Sequence, residues 1–156
     1  MQPSQQSLPS QPTRSHHASA SANVLRFINP PALYDPVPNG YSHVAVVTTP
    51  GRIVYAAGQG GENMHGYLPD DFAEQVRQAM WNMRIALRAG GADVPDVAKL
   101  TVLVVDHSME KLEIFGAALR QMWGDWEPPA CTLIPVPRLA LDGMLFEIEA
   151  TAVLPL

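Results

Sequence analysis

The stretch PPACTLIPVPRLALDGMLFEIEATAV, from Pro128 to Val153, constrains this chain more than any other. It reads as two strands joined across Asp142-Gly143, a dipeptide that readily takes the positive φ angles of a tight turn. The second strand alternates: Phe146, Ile148, Ala150 and Ala152 point to one face, and Leu145, Glu147, Glu149, Thr151 and Val153 to the other. Glu147 and Glu149 are therefore same-face neighbours, roughly 7 Å apart by strand rise. A carboxylate on a strand otherwise fit for burial is costly unless it is paired, hydrogen-bonded or protonated. The alternative is that this face is an outer, solvated one.

Upstream, Val24–Ile28 reads as a short strand ended by Asn29-Pro30-Pro31. A connector rich in Pro, Asn and Gly then leads to Tyr41-Ser42-His43. His43–Thr49 and Arg52–Ala57 give a second hairpin signal across Pro50-Gly51. Gly58-Gln59-Gly60-Gly61 follows directly, and glycine there lets a backbone N–H approach a ligand closely. It is not a phosphate loop, because no Lys-Ser/Thr follows. Asp71–Ala89 is the clearest helix: Asp71 with Glu74 supplies a capping-box-like start and Gly90-Gly91 the stop. Phe72, Val76, Ala79, Met80, Met83 and Leu87 form its core stripe.

Val97–Val105 is apolar on both faces, which predicts a central strand covered on each side. A second helix runs from Ser108 to about Trp123, with Leu112, Phe115, Leu119 and Met122 as its core face and Gly124 beyond. His107, beside Asp106, falls at the corner before it, where a capping or surface role is expected. The order β-β-β-α-β-α-β-β predicts an α+β fold in which two helices cover one face of a six-stranded mixed sheet. The face left over asks for a partner and points to a homo-oligomer.

Residues 1–23 are rich in Ser, Gln and Pro, lack acids and show no apolar periodicity, so a disordered tail is expected before a domain spanning 24–156. The single cysteine, Cys131, excludes an intramolecular disulfide and fits a reducing, cytoplasmic compartment. The formal net charge of −5, with no Lys/Arg run, argues against a nucleic-acid partner. No apolar run reaches the roughly 18–20 residues of a membrane span. His43, His65 and His107 share no ligand spacing with one another or with Cys131, so no metal is expected.

YSHVAVV, YAAGQGG, the run DDFAEQVRQAMWNMRIALRAGGADVPDVAKLTVLVVD, and PPACTLIPVPRL with FEIEATAV together resemble the RidA/YjgF, or reactive intermediate deaminase, family. The resemblance spans about Val24 to Leu154. It implies a chorismate-mutase-like fold, a homotrimer with small-molecule clefts between subunits, and hydrolysis of imine or enamine intermediates released by pyridoxal-phosphate enzymes. It implies no cofactor of the protein's own. Glu147 matches the family glutamate that positions and activates water, Gly58 the substrate-binding backbone, and Tyr41 an aromatic at the cleft. His43, Gln59, Ala130 and Cys131 complete the expected substrate-binding set. One departure is chemical: the deaminases carry a carboxylate-gripping arginine in a P-A-R segment, and here the run is Pro129-Ala130-Cys131. A thiol cannot supply a bidentate clamp, and Arg138, seven residues on, is not expected to replace it. Two functions follow: hydrolysis of a small electrophilic imine, enamine or related carbonyl compound, or a non-catalytic trimer that binds metabolites or acts as a chaperone-like scaffold. An endoribonuclease role is disfavoured by the charge.

Overall fold

The computed structural model describes residues 24–156; the expected tail lies outside them. The chain forms β1 (Leu25–Ile28), β2 (Val44–Val47), β3 (Arg52–Gln59), α1 (Phe72–Ala89), β4 (Val97–Val105), α2 (Met109–Trp123), β5 (Ala130–Val136) and β6 (Phe146–Leu154). Asp71 caps α1, its carboxylate accepting from the Glu74 N–H at 2.8 Å. The six-residue stripe expected for α1 is buried throughout, and Val76, Ala79, Met83 and Leu87 are fully so. The larger of these, Val76, Met83 and Leu87, each contribute about 1.5–3 kcal/mol of burial. The α2 stripe is rotated from expectation: Phe115, Leu119 and Trp123 are buried, while Leu112 stays 38% exposed. Its cap is Ser108, which accepts from the Lys111 N–H, and not His107.

The strands do not form one six-stranded sheet. They make a four-stranded sheet ordered β3-β6-β4-β5 and a separate β1-β2 ribbon. Within the larger sheet, β6 is antiparallel to β3 and β4, while β5 runs parallel to β4. Neither expected hairpin survives. β4 lies between β5 and β6; the helices bury its Leu100, Val102 and Val104, while Lys99, Thr101 and Leu103 on the other face are only partly buried, short of the cover expected on both faces. Gly143 does turn with φ 85°, but inside a connector rather than at a hairpin tip. β3 pairs with β6, and β2 with β1.

The ribbon meets the β5 edge at the Ser42–Ala130 bridge, where the Ser42 N–H donates to the Pro129 carbonyl at 2.8 Å and its hydroxyl to the Pro128 carbonyl at 2.6 Å. Pro128 and Pro129, which have no N–H, contribute only their carbonyls to this junction. Val24 of the ribbon instead packs on Ala98 and Val153.

Both helices cover one face of the larger sheet, enclosing Leu100, Val102, Val104, Phe146, Ile148, Ala150 and Ala152. The opposite face carries Lys99, Thr101 and Leu103 from β4 beside Thr151, Glu149 and Glu147 from β6, in register. Gln75 of α1, fully buried, ties helix to sheet. It donates to the carbonyls of Pro69 and Gly143 at 2.7 and 2.8 Å and accepts from the Leu145 N–H at 2.8 Å.

Candidate functional site

Glu147 leaves β6 on the helix-free face, opposite Leu103, with Glu149 one pleat away opposite Thr101. These four residues line an open cavity of about 250 Å³. Gly58 sits directly over the Glu147 carboxylate: a Cβ on it would lie 2.0 Å from Oε1 and 2.8 Å from Cδ. Only a glycine lets the main chain pass this close, at the point where the β3–β6 register slips between Ala56 and Gln59. Gln59 turns its amide back to the Ala57 carbonyl at 3.1 Å.

The glycine loop is held from behind by α1. Asn82 Nδ2 donates to the carbonyls of Gly60 and Glu62 at 2.9 and 2.7 Å. Gly61 packs so tightly on Gln75 that a Cβ would meet its Cα at 2.6 Å. The Gln75 clamp also fixes the N–H of Leu145, two residues before Glu147. One helix thus sets both sides of the Gly58–Glu147 approach.

Tyr41 and His43 form a second cluster with Tyr34, a residue the sequence reading did not single out. The three rings stand edge-to-face with centroids 5.1–6.5 Å apart. The Tyr34 and Tyr41 hydroxyls hydrogen-bond, and His43 Nε2 lies 2.8 Å from the Tyr34 carbonyl. Through Ser42 this cluster adjoins Ala130 at the start of β5.

The two clusters do not meet within one chain. Ala130 pairs with Lys99 and Glu147 with Leu103, so they stand four residues apart along β4 and on either side of it. Strand rise and spacing put them roughly 16 Å apart.

Cys131 joins neither cluster. It pairs with Leu100 and packs with Leu133 into the core beneath the helices, on the opposite face from Glu147. Burial pushes its thiol up to about 11, and the nearby Lys99 ammonium offsets only part of this. Thr132 is the β5 residue on the Glu147 face, and its hydroxyl accepts from Lys99 Nζ. Lys99 was hidden in the sequence by the apolar run around it; a lone lysine in such a strand was the available signal. Arg138 is engaged with Asp142 at 3.1 Å. Among the described residues no three His, Cys, Asp or Glu side chains gather as a metal site would, and no helix is long and apolar enough to cross a membrane.

Known proteins resemble this chain in sequence and fold. The family model described as Endoribonuclease L-PSP matches residues 35–154. A 2-iminobutanoate/2-iminopropanoate deaminase of Escherichia coli is 32% identical over 106 residues, covering 66% of this chain and 80% of that protein. The deaminase of the same name from Salmonella typhimurium is 29% identical over 127 residues, 80% of this chain and 92% of that protein. A Rid-family protein of unknown function from Yersinia pestis superposes with a TM-score of 0.80 at 38% identity, over 84% of this chain and 99% of its own. The YjgF gene product of Escherichia coli superposes at 0.60 with 29% identity, over 68% and 84%. The family-model match over residues 35–154, the deaminase relatives and the Rid-family structural neighbours together make this chain a member of the RidA/YjgF (Rid) family.

Proposed function

We propose that this chain hydrolyses small reactive imines, enamines or related carbonyl compounds, with Glu147 activating water. The observation that carries the reading is the main chain of Gly58 lying against the Glu147 carboxylate on an open, helix-free face. A carboxylate there can take a proton from water as the water attacks the C=N carbon, and return it to the nitrogen of the resulting carbinolamine as the C–N bond breaks and ammonia or an amine leaves the carbonyl product. The adjacent backbone offers hydrogen bonding where charge develops. Deaminase activity in the named relatives supports the same class of chemistry.

The separation of the two clusters supports a shared site. In a homotrimer, the Gly58–Glu147 end of one subunit would face the Tyr41–Ala130 edge of the next, so that each cleft draws on two chains. The exposed apolar side chains Ile53, Tyr55 and Ile134 on the large sheet supply surface for that contact. The net charge of −5 weighs against RNA as the substrate.

The absence of an arginine beside Ala130 favours a second reading, in which the trimer binds metabolites without turning them over. The test generates an imine with an amino-acid oxidase and follows release of the carbonyl product. Wild type accelerating release while Glu147→Gln does not supports hydrolysis. Equal, uncatalysed rates for both, across anionic and neutral imines, would leave the binding role.

A further inference from the structure

Where the described chain begins, a groove of about 380 Å³ opens beside it. Leu25 and Phe27 of β1 give one wall, since strand alternation sends Arg26 to the other side. The short turn Val94–Asp96, just before β4, contributes Asp96. Asp125, Trp126 and Glu127 come from the segment after α2, where the chain turns at Gly124 with φ 56°.

The groove is apolar at its floor and acidic at its rim. Leu25 and Phe27 are half-buried, and beside them the Trp126 ring stays 61% exposed. Three carboxylates line it, and no Lys, Arg or His does. Asp96 commits one oxygen to the Asp93 N–H at 2.8 Å. Asp125 and Glu127 are exposed and make no ion pair among the described residues. An aromatic face flanked by carboxylates suits a guanidinium, which stacks on indole and takes carboxylates side-on.

The same chain carries the complement. Residues 1–23 contain no Asp or Glu, and Arg14 is their only Lys or Arg. Of the formal net charge of −5, the remainder of the chain therefore carries −6. That segment runs directly into Val24 and Leu25, at the wall of the groove. The eleven residue steps from Arg14 to Leu25 span at most about 36–40 Å when extended, ample for the chain to fold back on itself. So short a tether holds Arg14 at a millimolar effective concentration. We propose that the chain's own N-terminal segment docks in this groove, with the Arg14 guanidinium on the Trp126 ring and between Asp125 and Glu127. The contact would strap the start of β1 to the turn after α2.

Trypsin provides the test, because Arg14–Ser15 is the only bond before Arg26 that it can cut. The full-length protein and a synthetic peptide spanning residues 8–20 are digested at low ionic strength, and cleavage of that bond is followed by mass spectrometry. The protein should be cut at least about fivefold more slowly than the peptide, since cleavage tracks the undocked population. The double variant Asp125→Asn/Glu127→Gln should be cut at the peptide's rate, and so should wild type in about 0.5 M NaCl, which screens exposed charges. Trp126→Leu should raise the wild-type rate about twofold by removing the stacking surface. All three side chains are exposed, so these variants keep the fold. Equal rates for wild type and peptide overturn the proposal. Protection that persists in Asp125→Asn/Glu127→Gln places the segment elsewhere and overturns it as well. Protection that grows with protein concentration assigns the groove to a second copy and overturns docking within one chain. The readout is proteolysis and not turnover, so its failure is distinguishable from failure of the reaction proposed for Glu147.

Discussion

Adding one methyl group at Gly58 should separate the carboxylate's position from its chemistry. The alanine Cβ would start 2.0 Å from Glu147 Oε1, 2.8 Å from Cδ and 3.1 Å from Cγ, whereas ordinary contact begins at 3.4 Å. The oxygen must therefore retreat by about 1.4 Å. Gly58 has no positive φ, so the backbone itself tolerates alanine. Glu147 is half-buried on an open face, and its side chain can rotate away for about 0.5–1.5 kcal/mol of rotamer strain. The fold should survive with a melting temperature lowered by only a few degrees. The chemistry should not, because a displacement of about 1 Å in a reacting group costs on the order of 100-fold in rate. The assay is the coupled oxidase assay, read as kcat/KM, beside thermal unfolding of the same preparation. Full activity in Gly58→Ala would refute the role given to this approach. Loss of activity together with collapse of the fold would show that Gly58 serves packing alone.

Other consequences are open to simpler measurements. Cys131→Arg should destabilise the protein by several kcal/mol, because it drives a guanidinium into the core beneath the helices; Thr132→Arg, on the Glu147 face, should leave the melting temperature nearly unchanged. With its thiol raised to about 11, Cys131 in the native protein should react with a thiol reagent at pH 8 far more slowly than after denaturation. Gln75→Leu should cost about 2–4 kcal/mol in denaturant unfolding, since it strands two carbonyls and one N–H that now share its amide. Asp93 is held below the usual carboxylate range chiefly by its hydrogen bond from Arg84, with help from the Val94 N–H and Arg88 and against partial burial. A depressed carboxylate stabilises the fold above its ordinary value of 3.8, and that contribution is lost as pH falls below it. Melting temperature followed from about pH 5 to pH 2 should therefore decline more steeply for wild type than for Asp93→Asn.

Local signals carried far in this chain. Asp71 and the stripe from Phe72 to Leu87 mark the first helix because caps and periodicity depend on near neighbours alone, whereas at the second the cap proved to be Ser108 rather than His107. The alternation of Phe146 to Val153 likewise placed Glu147 and Glu149 on one face. Pairing is a different matter: nothing in Asp142-Gly143 reveals that β4 will separate β5 from β6. The same holds for Cys131. Its register against Leu100, set by the parallel β4–β5 ladder, decides which face it takes, and a motif comparison carries no such information. Trp123 was missed because α2 rotates to bury its last turn, at the expense of Leu112.

The distance between Glu147 and Ala130 also has a genetic meaning. Under the shared-cleft proposal, a lesion at Glu147 and a lesion at Tyr41 spoil opposite ends of the same chain. Two such defective chains, expressed together, would repair one another wherever an intact Glu147 end meets an intact Tyr41 edge. With random assortment into rings, about one quarter of the clefts would be whole. A single doubly damaged chain mixed with wild type, by contrast, would also spoil clefts to which it lends only one side. An enzyme whose site lies wholly within one fold shows neither behaviour.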